Sequence, residues 1–152
     1  MQNAAIVILN YNGVEMLRKF LPSVVQFSSF QVIVADNGST DGSVQLLLNN
    51  FPQIRLIRLE SNFGFTGGYN RALEIIRGDF GYYILLNSDV EVEKAWDVKL
   101  IRFLEENPKA AAVQPKILSF PNRGCRLTYF RFLDGRKHFL PHILELIWKK
   151  QF

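Results

Sequence analysis

This sequence predicts an α/β fold built on a largely parallel sheet, and three observations carry the prediction. Short apolar runs rich in Ile and Val alternate with longer segments whose apolar residues recur at helical spacing. Gly, Asn, Asp and Ser collect where the apolar runs end, as turns require. Those ends carry polar side chains past the sheet edge, the place where open parallel sheets gather their ligands.

Each element follows from its residues. Ala4 to Leu9 is a continuous apolar run, as expected of a strand buried on both faces, and it stops at Asn10-Tyr11-Asn12-Gly13. Val14 to Phe27 places Val14, Leu17, Phe20, Leu21, Val24 and Val25 at helical spacing, with Pro22 expected to kink the helix or start its second half. Gln31 to Ala35 is the second strand. Ser39 or Thr40 then reads as a helix cap, with Asp41 at the positive end of a helix running to Asn50. Ile54 to Leu59 alternates apolar residues with Arg55 and Arg58 as a third strand. Thr66 reads as the cap of a helix from Gly67 to Arg77, and Gly78-Asp79 breaks it. Phe80 to Leu86 is the fourth strand and Lys94 to Glu106 a helix ended by Asn107-Pro108. Ala110 to Val113 reads as a strand and Pro115 to Phe120 as one more extended segment.

Composition bounds the class. A chain of 152 residues fits one domain and buries a sizeable core, and 48% hydrophobic with 21% charged residues is ordinary for a globular protein. The single cysteine, Cys125, has no internal partner, which points to a reducing compartment. No basic and apolar leader opens the sequence, and no apolar run approaches the roughly 20 residues of a membrane span. A cytoplasmic location is expected. The net charge of +4 is unevenly placed: residues 1–122 carry 11 basic and 12 acidic side chains, residues 123–152 carry 7 and 2. The basic balance belongs to the last thirty residues, so it gives no support to a nucleic-acid partner.

Three loops leave strand ends carrying polar groups, Asn10–Gly13, Asp36–Ser43 and Asn87–Asp89, and a fourth, Asn62–Asn70, precedes a helix. Right-handed crossovers bring them to one edge, into a crevice lined by Asp36, Asn37, Asn70, Asn87 and Asp89. The phosphate-binding pattern G-x-x-x-x-G-K-[ST] is absent, which excludes a P-loop NTPase. Gly64, Gly67 and Gly68 do not follow a strand as a dinucleotide fingerprint does. His138 and His142 lie in the tail without a carboxylate framework, so no cage of Cys and His is expected.

The order of Val7-Ile8-Leu9-Asn10-Tyr11-Asn12-Gly13, Val34 through Ser43 (VADNGSTDGS), Asn62 through Asn70 (NFGFTGGYN) and Leu85-Leu86-Asn87-Ser88-Asp89-Val90 resembles the N-terminal half of a family 2 glycosyltransferase of GT-A fold. The likeness is to the bacterial rhamnosyltransferase-like group and spans about residues 4–120. It implies a Rossmann-like, mostly parallel sheet flanked by helices and incomplete at the C-terminal acceptor half. Residues 1–122 would form the nucleotide-sugar-binding half and 123–152 an atypical basic tail.

By the same resemblance, Asp36 binds the nucleobase beside the first-strand turn of Leu9, Asn10 and Tyr11. Asn37, Asn70, Asn87 and Ser88 complete the donor-nucleotide site, and Asp89 binds Mg2+ or Mn2+ on the diphosphate. The family's Asp-x-Asp here reads Asn87-Ser88-Asp89, and one carboxylate with phosphate oxygens and waters is an ordinary Mg2+ arrangement. The implied partners are a UDP- or dTDP-linked nucleotide sugar and a saccharide or lipid-linked acceptor. The implied chemistry is inverting sugar transfer, in polysaccharide biosynthesis.

Blander roles stand beside these. Asp36 also suits a helix N-terminus, Asp89 a turn cap, Asn62 and Asn70 loop backbone groups, and Gly64, Gly67 and Gly68 turn geometry or close ligand approach. Arg71 suits a solvated helix face better than a phosphate. No residue after Asn122 matches the family's acidic base, so the catalytic residue is unknown. Truncation or a shifted frame is the expected reason, and a nucleotide-binding remnant without transfer activity is the alternative function. A nucleotidyltransferase shares the sheet type, but Asn10–Gly13 carries no Lys or Arg.

In the tail, Leu140, Ile143, Leu144, Ile147 and Trp148 fall on one helical face, with Pro141 in the first turn and Lys149-Lys150 at the C-terminus. One reading is a helix packed on the bare sheet edge. Another is membrane-surface contact, peripheral to the inner membrane face, near lipid-linked acceptors.

Overall fold

The computed structural model describes residues 3–115, 131–133 and 145–149. Strand β1 (Ala4–Asn10) pairs in parallel with β2 (Gln31–Asp36) on one side and β4 (Tyr82–Asn87) on the other, and β2 pairs in parallel with β3 (Arg55–Arg58). Beyond β4 lie β7 (Glu145–Lys149), β5 (Ala112–Gln114) and β6 (Arg131–Leu133), so the full order is β3-β2-β1-β4-β7-β5-β6. β7 runs antiparallel to both β4 and β5. The sheet is thus mostly parallel, as the alternation of elements predicts.

The apolar runs bury both faces of the sheet. Ile6, Ile8, Val34, Ile84 and Leu86 pack with Leu17, Leu21 and Val24 of α1 (Val14–Phe27), Leu47 of α2 (Ser43–Asn50), and Leu100, Ile101 and Leu104 of α4 (Trp96–Glu106). Ala5, Val7, Ile33, Ala35 and Ile57 point the other way, onto Tyr69 and Ala72 of α3 (Gly64–Ile75). The period-two alternation along β1 explains why a strand with no polar residue before Asn10 serves two separate cores.

Helix starts differ most from expectation. α1 is a single helix with Pro22 inside it. α2 begins at Ser43, after Gly42 in the left-handed region, and neither Ser39 nor Thr40 caps it. α3 begins at Gly64, so Thr66 lies within its first turn and not at its cap. The reason is competition: Ser39 and Thr40 are drawn into bonds with the β1 loop, and the Asn62 side chain reaches the Gly64 N–H first. α4 opens at Trp96, two residues late, after Ala95 in the left-handed region.

The amphipathic tail helix is also corrected. Glu145–Lys149 is a strand, paired along β4 from Leu86↔Glu145 to Tyr82↔Lys149. A short apolar run fits either period, and the unpaired backbone of β4 decides for the strand. Leu140, Pro141, Ile143, Leu144 and Lys150 lie outside the described residues, as do residues 116–120 of the expected extended segment and both histidines. Among the described residues no helix is long and apolar enough to cross a membrane.

Candidate functional site

Register brings three strand ends to one level: Leu9 is opposite both Ala35 and Asn87, and Asn10 is opposite Asp36. Asn10 is fully buried. Its Nδ2 donates to Asp36 Oδ1 at 3.1 Å and to Ser39 Oγ at 3.1 Å, tying the first strand end to the second. The other Asp36 oxygen accepts from the Ser39 N–H at 3.0 Å. Asn12, in the left-handed region, donates its N–H to Ser39 Oγ and accepts at Oδ1 from the Thr40 N–H. Asp36 therefore begins as a buried loop organiser, 2% exposed, with both oxygens engaged.

Asp41 extends the same network. Its Oδ2 accepts from Val14 N–H at 2.8 Å, and its Oδ1 accepts from the Ser43 N–H and hydroxyl. One carboxylate thus satisfies the first N–H of both α1 and α2, a cap in trans for α1 that spacing in the sequence does not reveal. Partial burial works to raise the Asp41 pKa, but the hydrogen bonds from Ser43 and Val14 outweigh it and hold the carboxyl below its ordinary value.

Asn37, also 2% exposed, joins β2 to α3. Its Nδ2 donates to Asn62 Oδ1 at 2.9 Å and to the Gly64 carbonyl at 3.1 Å, while its Oδ1 accepts from the Phe63 N–H at 3.1 Å. Every hydrogen and one lone-pair side of that amide are taken. Gly68 is needed here for closeness: a Cβ would stand 2.8 Å from Leu9 Cδ1 and 3.0 Å from Asn37 Nδ2. What approaches this glycine is the chain's own Leu9 and Asn37. Arg71 lies over the Phe63 ring at 3.5 Å from its centroid, a cation–π contact and not a free phosphate ligand.

The β4 end is different. Asn87 and Ser88 are half-buried, and Asp89 is exposed on the turn that follows. Among the described residues the Asp89 carboxylate has no hydrogen-bond or ion-pair partner. α3 is fastened above this end by the buried bond from Tyr69 OH to the Leu86 carbonyl at 3.0 Å. Asn70, the next residue, is exposed on α3, and Tyr11 is 50% exposed at the β1 turn. Leu9 is half-buried, in register between Ala35 and Asn87.

Among the described residues no three His, Cys, Asp or Glu side chains cluster as a metal cage. The donor set at Asp89 fits a hard divalent ion that completes its oxygen shell from a diphosphate and water, and it does not fit a cage made by protein alone. A groove of about 600 Å³ between α1 and α2, lined among others by Glu15, Arg18, Gln45 and Asn49, includes none of Asn87, Ser88 and Asp89. It meets the loop network only at Val14, Asp41 and Gly42 and does not reach the β4 end. Sequence reasoning missed Ser39, Asn12 and the trans role of Asp41. Their polar density in the loops is the one available signal.

A parallel β3-β2-β1-β4 core flanked by helices, with polar loops at its carboxyl edge, defines a GT-A-like α/β protein. Residues 5–144 match the model of glycosyl transferase family 2, and the chain belongs to that family. The match passes Asn122, where the recognisable motifs stop; the charge balance changes there, but the family relationship does not.

The chain is 29% identical over 123 residues to the N-acetylglucosaminyl-diphospho-decaprenol L-rhamnosyltransferase of Mycobacterium tuberculosis, covering 74% of this chain and 40% of that one. Among solved structures, TarS 1-349 from S. aureus superposes with a TM-score of 0.72 at 20% identity, over 97% of this chain and 47% of that one. The mannosyltransferase PcManGT from Pyrobaculum calidifontis, in complex with GDP-Man and Mn2+, gives 0.62 at 17% identity, over 73% and 34%. The chain spans two fifths or less of the curated relatives first matched.

Proposed function

We propose that this chain is the donor-binding part of a metal-dependent glycosyltransferase, taking a UDP- or dTDP-linked sugar and a saccharide or lipid-linked acceptor. The observation that carries the reading is the exposed Asp89 carboxylate, unpaired among the described residues, just past the end of a central parallel strand in a chain of family 2. Asp89 would hold Mg2+ or Mn2+. The similar mannosyltransferase structure contains a sugar nucleotide with Mn2+, and the similar rhamnosyltransferase is named for a lipid-linked acceptor, which supports both halves of the proposal.

A bound divalent cation supplies Lewis-acid charge to the departing nucleoside diphosphate. The protein's part is placement. Asn87 and Ser88 would border the diphosphate, and the exposed Asn70 of α3 would add an amide to it. Tyr11 offers an exposed ring and Leu9 an apolar edge to the nucleobase. Asp36, Asn37 and Asn10 would form the polar floor below them, each Asp36 oxygen accepting one internal bond and keeping a second lone pair for an N–H of the base. A cytoplasmic setting belongs to the same proposal, since sugar nucleotides are handled there in this reading.

Calorimetric titration of UDP and dTDP with and without Mn2+ tests it. Metal-dependent binding that disappears in Asp89→Ala is the expected result, and unchanged affinity in that variant overturns the reading. Release of free nucleotide from a panel of sugar nucleotides then separates transfer from binding alone. Binding with no turnover, not even slow hydrolysis, would favour a nucleotide-binding module without transfer activity.

A further inference from the structure

An acid used as a metal ligand must be held still, yet Asp89 sits on an irregular segment that runs from Ser88 to Ala95. That segment is fastened to α1 and to the turn after it. The Val92 N–H donates to Ser23 Oγ at 3.3 Å, and the Ser23 hydroxyl donates to the Phe20 carbonyl at 2.8 Å. Trp96 Nε1 donates to Ser28 Oγ at 3.1 Å. The third fastening is Asp97, a carboxylate with 0% exposure. Its Oδ2 accepts from the N–H groups of Ser29 and Phe30, and its Oδ1 accepts from the Val98 N–H at 2.9 Å.

A buried carboxylate is costly unless hydrogen bonds satisfy it, and here three backbone donors do so. No neutral side chain replaces it. An Asn offers one acceptor oxygen and turns an NH2 donor toward a backbone N–H. Between the fastenings, Ala95 is held at φ +59°, a conformation alanine rarely adopts without its surroundings imposing it. Val92 adds a buried side chain in the core beneath. The Asp89 turn is thus fixed at one end by β4 and at the other by this clamp, with two residues, Val90 and Glu91, between Asp89 and the first fastening bond.

We infer that the clamp of Asp97 and Ser23 positions Asp89, so that the metal-binding turn is ordered before any ligand arrives. The inference rests on the metal reading of Asp89 given above. Asp97 is a positioning residue: it touches neither metal nor nucleotide, and acts by sparing the bound state the cost of ordering the turn. The blander role, that Asp97 only joins α4 to the α1–β2 turn, predicts different measurements.

The test uses the full chain with Asp97→Asn and, separately, Ser23→Ala, a milder change that removes the Val92 acceptor and the hydroxyl's bond to the Phe20 carbonyl and serves if Asp97→Asn does not yield folded protein. In ligand-free protein, amide exchange across Val90–Glu93 is expected to quicken, with β1 and β2 amides unchanged. UDP affinity without metal should stay within about twofold, and the gain in affinity on adding Mn2+ should fall about three- to tenfold. An unchanged Mn2+ gain in a folded variant whose exchange has quickened overturns the inference. So does uniform loss of protection with metal-dependent and metal-independent affinity falling together, which would assign the clamp to general stability. Wild-type protein with no Mn2+ gain at all removes the metal reading itself, a separately visible failure that takes the inference with it.

Discussion

Asp36 closes β2 and Asp89 follows β4 by two residues, so the two strands that flank β1 each lead to an acid at the same sheet edge. Their surroundings are opposite. Asp36 is buried with each oxygen receiving a hydrogen bond, one from Asn10 and one from Ser39. Asp89 is exposed on a turn. The β2 end invests its polar groups in joining loops to one another, whereas the β4 end leaves its carboxylate open. An acid at a strand end is therefore a ligand candidate only after its internal partners have been counted.

The comparison can be broken by mutation, and the largest effect belongs to the β2 end. Asn37→Ala removes the shared partner of Asn62, Phe63 and Gly64 from a buried position and is expected to cost roughly 2–4 kcal/mol. Urea denaturation measures it, and a cost below about 0.5 kcal/mol would show that the loop network contributes little. Gly68→Ala should come next, at about 1–3 kcal/mol, because the new methyl meets Leu9 and Asn37 where neither can retreat freely. The same denaturation series reads it.

Asp41→Asn should cost about 1 kcal/mol at neutral pH through loss of the shared helix cap. Because its folded pKa lies below the ordinary 3.8, this carboxylate's contribution is present above that value and disappears as pH falls through the folded pKa. The gap in stability between wild type and Asp41→Asn should therefore narrow in acid. A gap that widens as pH falls would reverse the sign and refute the cap. Smallest of all is Asp89→Asn, expected to leave stability within about 0.5 kcal/mol while metal-dependent UDP binding is lost. A large thermal destabilisation in that variant would mean Asp89 has an internal role like that of Asp36.

Much of the architecture was legible because the signals are local. The apolar run of Ala4–Leu9 and the helical spacing of Leu17, Leu21 and Val24 predict a buried strand and its covering helix, and both are present. Helix starts were less legible. Ser39, Thr40 and Thr66 are sound cap residues by type, but Ser39 and Thr40 are taken by Asn10 and Asn12, and Thr66 is overtaken by a start at Gly64. The tail failed for a related reason. Ile147 and Trp148 suit a helical face and a strand equally, and only the open flank of β4 chose between them.

The sequence alone determined the alternation of strand and helix, the parallel core, and the family to which the motifs point, because each depends on residues close together in the chain. The tertiary structure decided which polar groups are spent and which are free. Asp41 reaches Val14 across 27 residues and Asp97 reaches Ser29 across 68. Hydrogen-bond partners at such separations exist only once strand register is set, so no local pattern could have distinguished the bound carboxylates from the open one at Asp89.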